Sequence, residues 1–255
     1  MARHAAAIAV DVGKAIDTAA VEIVTRKGGR TNFATASDHA AEREILRRLR
    51  DLDGSVPILA EESARDELRR AERLWVVDPI DGTLNFAHGV PFYCVAIGYV
   101  QEGRVRASAI HGPRLRETFV ASEGTGARLN RVPISVSSVV RARDAFVVSS
   151  LSRGAAGKLD SRFTQLNRTC ARLRVTGSAA LEIAYVAAGR FDLFVHEQLS
   201  PWDIAAPGLV AREAGAAVLS LATGLDAAWD EPRVIIGNPA LVKDAIASMD
   251  LIREK

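Results

Sequence analysis

Residues 92–136 carry runs of strand character, YCVAIGYV, RVRASAIHG, ETFVASEGTGARLN and VPISVSS. Turn signals at Glu102-Gly103, Gly112-Pro113 and Gly124–Gly126 separate them, the pattern of an antiparallel meander. Helices are expected before it. Ile8, Val12, Ile16, Ala19 and Ile23 recur at helical spacing and predict one helix over residues 5–25, broken by RKGGRTN. A second helix begins near Ser37, with Ile45, Leu46 and Leu49 on its apolar face and Asp38 and Glu42 near its positive end. Beyond residue 140 short strands and helices alternate. Strands are expected at Phe146–Val148, Phe191–Val195, Ala217–Leu221 and Val234–Ile236, with helices at 158–171, at AALEIAYVAAGR, at 204–214 and at the end. The chain reads as α+β passing into α/β: an N-terminal half, 1–140, and a C-terminal half, 141–255, in one compact unit.

With 48% hydrophobic and 25% charged residues the composition is that of a soluble globular protein. A net charge of +2, spread without blocks, gives no sign of dedicated nucleic-acid binding. Arg47-Arg48 and Arg69-Arg70 read as solvated helix faces. Cys94 and Cys170 lack metal-site spacing and lie among apolar residues, as buried free thiols do in a reducing compartment. The first twenty or so residues, with Asp11 and Lys14 inside the apolar stretch, read as an amphipathic helix and not a signal peptide. No apolar run approaches the ~18 residues that would span a membrane, and a cytoplasmic location is expected.

Acidic residues recur where apolar runs stop: Glu61-Glu62 after Pro57–Ala60, Asp78 and Asp81 after Leu74–Val77, and Asp203. Strand ends are where open α/β folds gather site residues, and a hard cation such as Mg²⁺ needs only one or two carboxylates plus substrate and water. Read as a turn, Asp78-Pro79-Ile80-Asp81 presents two carboxylates and a carbonyl to one small volume, with Pro79 offering no competing N–H. Gly82-Thr83 then opens a helix whose first amides face an anion. Each feature also has a plainer meaning. Asp-Pro and Asp-Gly are ordinary turn chemistry, Glu61-Glu62 fits a solvated loop, and Ser200–Asp203 fits a helix start. Dinucleotide and P-loop fingerprints, a nucleophile elbow and a zinc-type histidine pair are all missing from the sequence.

Taken together, WVVDPIDGTLNF (75–86), AEES (60–63) and PWDIAA (201–206) resemble the signatures of the inositol monophosphatase family, within the Mg²⁺-dependent, Li⁺-sensitive sugar-phosphatase superfamily. TASDHAAE (35–42), GTGARLNRVPISVS (124–137) and GSAALEIAYVAAGRFD (177–192) extend the resemblance along the chain. It implies an αβαβα layered sandwich and hydrolysis of inositol monophosphate or a related small sugar or polyol phosphate. Paired Mg²⁺ ions ~3.5–4 Å apart would clamp the reacting oxygens and activate a water. By position, Glu61, Asp78 and the carbonyl of Ile80 would hold the first ion, and Asp78, Asp81 and Asp203 the second. Glu61 would be shared with a third. Asp38 and Thr83 would form the water-activating couple, with Glu61 and Glu62 beside that water. The amides of Gly82 and Thr83 would bind phosphate, Lys27 would be a site lysine, and Gly177, Ser178 and Ala179 would line the sugar side. A homodimer is implied as well. Fructose-1,6-bisphosphatase and histidinol-phosphatase activities are the alternatives within the superfamily, and a regulatory protein bound to the transcription machinery is the alternative of another class. Two positions depart from the family pattern. His196 stands where inositol-hydrolysing members carry a substrate-contacting glutamate, with Glu197 one step along. Pro207 cannot donate to the carbonyl of Asp203, so the helix is expected to kink or to start later.

Overall fold

The computed structural model describes residues 1–18, 23–28, 32–149 and 161–249, with backbone alone at 23–28, 32–34, 161–162 and 249. The apolar stripe Ala5, Ile8, Ala9, Val12 and Ile16 forms the buried face of helix α1 (Ala2–Asp17). The helix ends well before residue 25. Ile23 instead opens strand β1 (Ile23–Gly28), which pairs antiparallel with β2 (Asn32–Thr35). The β-branched trio Ile23-Val24-Thr25 favours extended backbone and outweighs the helical spacing there. Helix α2 (Ala36–Leu52) follows directly, with Thr35 as its N-cap.

Strands β3 (Ile58–Ala60) and β4 (Arg73–Asp81) come next, followed by the short helix α3 (Thr83–Ala87). The meander then appears as β5 (Cys94–Gln101), β6 (Arg104–Gly112), β7 (Glu117–Ser122), β8 (Ala127–Leu129) and β9 (Val132–Pro133). Together β3 to β9 form a seven-stranded sheet in sequence order, with β3 parallel to β4 and every other pair antiparallel. The second half contributes β10 (Phe146–Ser149), α4 (Ser161–Thr169), β11 (Arg172–Arg174), α5 (Ala179–Ala187), β12 (Leu193–His196), α6 (Pro201–Glu213), β13 (Ala217–Ser220), β14 (Val234–Gly237) and α7 (Pro239–Met249). Its five strands form a second sheet in the order β11-β10-β12-β14-β13.

The apolar faces fix the layers. Ala5, Ile8 and Val12 of α1 and Ile45 and Leu49 of α2 share a core with Trp75, Val95 and Ile97 of the large sheet. On that sheet's other face, Ala96, Ile110 and Phe119 pack against Leu181 and Ile183 of α5 and Ile204 and Val210 of α6. The same core includes Phe194 and Ile236 of the small sheet, so α5 and α6 lie between the two sheets. Leu166 of α4 and Leu241 and Ala245 of α7 cover Val195 and Ile235 on the far side. The result is the αβαβα sandwich. Helix α6 runs unbroken through the buried Pro207 and starts at Pro201, so the later start is not found. None of the helices among the described residues is long and apolar enough to cross a membrane.

Candidate metal centre

Strand β4 does not stop at Val77 for a turn; it continues through Asp81. Asp78 pairs with Ala96 and Asp81 with Cys94, so three steps on β4 match two on β5. That is a bulge of one residue. Side chains alternate along a strand, and positions three apart would normally point to opposite faces. The extra residue reverses this parity, and the two aspartates meet. Parallel pairing adds the acidic turn: Ala60 lies beside Val77, so Glu61, at the head of a 3-10 turn over Glu61–Ser63, emerges next to Asp78. The helix packed on that same face of the sheet, α6, delivers Asp203. Its approach needs Gly98 on β5, where a Cβ would stand 3.3 Å from Ala206 N.

Carboxylate oxygens of Asp78, Asp81 and Asp203 lie within 4.8 Å of one another. Glu61 stands outside that trio, yet its charge acts on Asp78. Burial, then Glu61, Asp81, Asp203 and Asp38, push the Asp78 carboxyl well above the usual carboxylate range. Burial also raises Asp81, offset by hydrogen bonds from Ser178, Ala180, Ala179 and Cys94. Asp78 Oδ1 is buried without a hydrogen-bond partner. An orphaned anionic oxygen among like charges is unfavourable until a cation neutralises it, and an all-oxygen set suits Mg²⁺. The residues present fit that ion.

Asp81 is cradled by the start of α5. Ala180 N donates to Oδ2 at 2.8 Å and Ala179 N to Oδ1 at 3.2 Å, while Ser178 Oγ donates to Oδ2. Ser178 and Ala179 thus serve this aspartate in the structure, and the buried Ser178 hydroxyl is not open to a sugar. The Cys94 thiol also contacts Asp81 Oδ2, and burial next to that carboxylate pushes it up. Asp203 is indeed a helix-start residue: Ser200 N donates to its Oδ2 at 2.7 Å. The plainer reading and the functional one describe the same side chain.

Asp38 repeats this economy. It is the third residue of α2 and completes a capping box with Thr35, whose N–H donates to Oδ2 at 2.7 Å and whose hydroxyl donates to the same oxygen at 2.5 Å. Its Oδ1 accepts from Thr83 Oγ1 at 3.0 Å. The Thr83 hydroxyl also lies 3.0 Å from the carbonyl of Ile80. Gly82, at φ +91°, caps α3 in a conformation that favours glycine, and a Cβ there would crowd Phe92 O at 3.1 Å and Gly177 O at 3.2 Å.

The remaining expected residues are placed less centrally. His196 ends β12, stacked on Phe194 on the strand face toward α5 and α6. Its Nδ1 accepts from Gln198 N at 3.0 Å, and burial lowers it to about 4, so the ring is neutral at physiological pH. Glu197 follows the strand's last residue. Lys27 falls on β1, where its side chain lies outside the described residues. Gly177 N donates to Glu182 at 3.3 Å. Sequence reasoning overlooks three supporting groups. Thr35 is one, legible in hindsight as the T-x-x-D of a capping box. Glu42 is another, whose Oε2 accepts from Glu62 N at 2.8 Å and so tethers the acidic turn to α2. The third is Glu182, raised to about 7 mainly by burial.

A model of the inositol monophosphatase family matches residues 1–251. The fructose-1,6-bisphosphatase/inositol-1-monophosphatase of Thermotoga maritima is 38% identical over 198 residues, 78% of this chain and 75% of that protein. The Nus factor SuhB of Escherichia coli K12 is 36% identical over 225 residues, covering 87% and 84% of the two chains. Among solved structures, an inositol monophosphatase from Anabaena superposes with a TM-score of 0.86 at 28% identity, covering 99% of this chain and 96% of that one.

Proposed function

Because the chain belongs to the inositol monophosphatase family, we propose that it is a Mg²⁺-dependent hydrolase of inositol monophosphate or a related small sugar or polyol phosphate. The observation that carries this reading is the buried, partnerless Asp78 Oδ1 inside a trio of carboxylates. Asp78, Asp81 and Asp203 would hold Mg²⁺, with Glu61 and the Ile80 carbonyl completing the set for two or three ions. Bound Mg²⁺ would supply the positive charge that offsets the phosphate and makes a nearby water more acidic.

The chain's own groups account for the proton. Asp38 Oδ2 is already occupied by two donors from Thr35, which leaves Oδ1 as the oxygen able to take up a proton. Thr83 has a single hydroxyl proton and two acceptors, Asp38 Oδ1 and Ile80 O. Donating to Asp38 leaves the Thr83 oxygen free to accept from a water beside it, so the pair relays a proton inward. Glu61 and Glu62 border the same water. The first amides of α3, at Gly82 and Thr83, have no carbonyl ahead of them in the helix and suit a phosphate oxygen. Lys27 and the neutral His196 belong to the substrate side. A cytoplasmic homodimer completes the proposal.

Phosphate release from inositol 1-phosphate, fructose 1,6-bisphosphate and histidinol phosphate, with and without Mg²⁺ and Li⁺, tests it. Turnover with inositol 1-phosphate that needs Mg²⁺ and falls with Li⁺ is expected; turnover indifferent to Mg²⁺ would overturn the reading. A second reading, a regulator of transcription, is favoured by the relative named Nus factor SuhB. A purely regulatory protein predicts no turnover on any member of the panel.

A further inference from the structure

Helix α5 reads AALEIAYVA, an apolar stretch containing one carboxylate, Glu182, which is fully enclosed. Such a group is costly unless it is held. Its Oε1 accepts from Thr176 Oγ1 at 2.6 Å, Thr176 N at 3.0 Å and Gly177 N at 3.3 Å. Its Oε2 is buried and has no partner. The turn that Glu182 grips is held from the other side by Asn85 of α3, whose Nδ2 donates to Thr176 O at 2.7 Å and to Phe92 O at 2.7 Å. Gly177 has φ +84° and leaves no slack for a side chain, since a Cβ would stand 3.3 Å from the Asn85 amide. The next residues, Ser178 to Ala180, close on Asp81. Hydrogen bonds and one stretch of backbone therefore connect Glu182 through the turn to Asp81.

We propose that Glu182 is a positioning residue for the phosphatase reaction: from behind the site it sets the Thr176–Gly177 turn, and through Ser178 it holds Asp81 in the orientation that receives a cation. The proposal rests on the reading of Asp81 as a metal ligand. Groups one step removed from a metal ligand commonly alter affinity or activity by about 10–100-fold when removed. Glu182 occupies that position without touching substrate or ion.

The test compares Glu182→Leu, Glu182→Gln and Thr176→Val with wild type and with Asp78→Asn. Mg²⁺ affinity is read by calorimetry, kcat and KM from phosphate release with inositol 1-phosphate, and folding from the melting temperature. Glu182→Leu should weaken Mg²⁺ binding about tenfold or more. Thr176→Val removes one of the gripping bonds and should shift affinity the same way by about fivefold. Glu182→Gln keeps an acceptor oxygen and should stay within about threefold of wild type. Unchanged Mg²⁺ affinity in both Glu182→Leu and Thr176→Val overturns the proposal, as does a glutamine variant as impaired as the leucine one. Should Glu182→Leu fail to fold, Thr176→Val decides alone. If Asp78→Asn abolishes Mg²⁺ binding while the Glu182 and Thr176 variants bind normally, only the positioning role falls. If Asp78→Asn binds and turns over like wild type, the metal reading falls and takes this proposal with it.

Discussion

Replacing Asp78 by asparagine should strengthen the metal-free protein while removing its response to Mg²⁺. Oxygens of the aspartate trio lie within 4.8 Å of one another. At that distance a pair of like charges repels by about 1 kcal/mol in water and about 3.5 kcal/mol at an effective dielectric of 20. The substitution Asp78→Asn would remove two of the three pairs and offer amide hydrogens to the remaining carboxylates. Asp78 can relieve part of the repulsion by taking up a proton, so the gain is on the order of 2 kcal/mol. For a domain of this size that raises the melting temperature by roughly 4–8 °C. Mg²⁺ works the opposite way. At a hundred times its Kd, a ligand that binds only the folded state adds about 2.7 kcal/mol to wild type. The variant should gain far less. The pH dependence has a definite sign. The Asp78 carboxyl is raised in the folded state, so the native protein binds its proton more tightly than the unfolded chain does. Metal-free wild type therefore loses stability as pH rises from the ordinary carboxylate range through the raised folded value. The gap between variant and wild type should widen from pH 5 to pH 8. Thermal melts in EDTA and in Mg²⁺, at both pH values, provide the measurement. An asparagine variant that melts below wild type in EDTA, or gains as much from Mg²⁺, would refute the reasoning.

The other predictions concern neighbouring parts. Thr83→Val breaks the contact with Asp38 and should lower kcat by about 100-fold or more while calorimetry still finds Mg²⁺ bound; parity in kcat would dismiss the relay. Pro207→Ala returns a donor to the Asp203 carbonyl and should stabilise the fold, by up to about 3 kcal/mol less the lost packing of a buried ring; a lower melting point would mean the proline is already accommodated. His196 is lowered to about 4 by burial, so wild type should shed stability as pH falls from about 6.5 towards 4. His196→Gln should flatten that limb of the melting profile, and identical acid limbs would show that the ring is freely hydrated.

Much of this is legible because its signals are local. The meander's turns announce themselves at Glu102-Gly103 and Gly124–Gly126, and α2 through α7 follow apolar spacing or cap residues that a reader can see. The end of α1 is misplaced by periodicity because Ile23 satisfies both a helical stripe and a β-branched strand, and pairing with β2 decides between them. The DPID segment reads as a turn because Asp-Pro and Asp-Gly are turn residues, whereas pairing with β5 keeps it in the sheet. Asp38, Asp78, Asp81 and Asp203 are accessible from motifs. Thr35 is within reach as the T-x-x-D of a capping box, whereas Glu42 and Glu182 are not, since each acts by holding a neighbour distant from any motif, as when Glu42 meets Glu62 across the fold.

The bulge in β4 has a consequence for how this chain can vary. Asp78 and Asp81 converge because one residue between them bulges out of the pairing with β5, and the size of the apolar side chain in between matters less. Ile80 could be exchanged for another apolar residue and still lend a carbonyl. Any change that drew the bulged residue back into the ladder at the present spacing would restore the ordinary alternation and turn one carboxylate away, leaving composition, charge and motif residues intact. At this point the site depends on how β4 is paired more than on which apolar residue it spells.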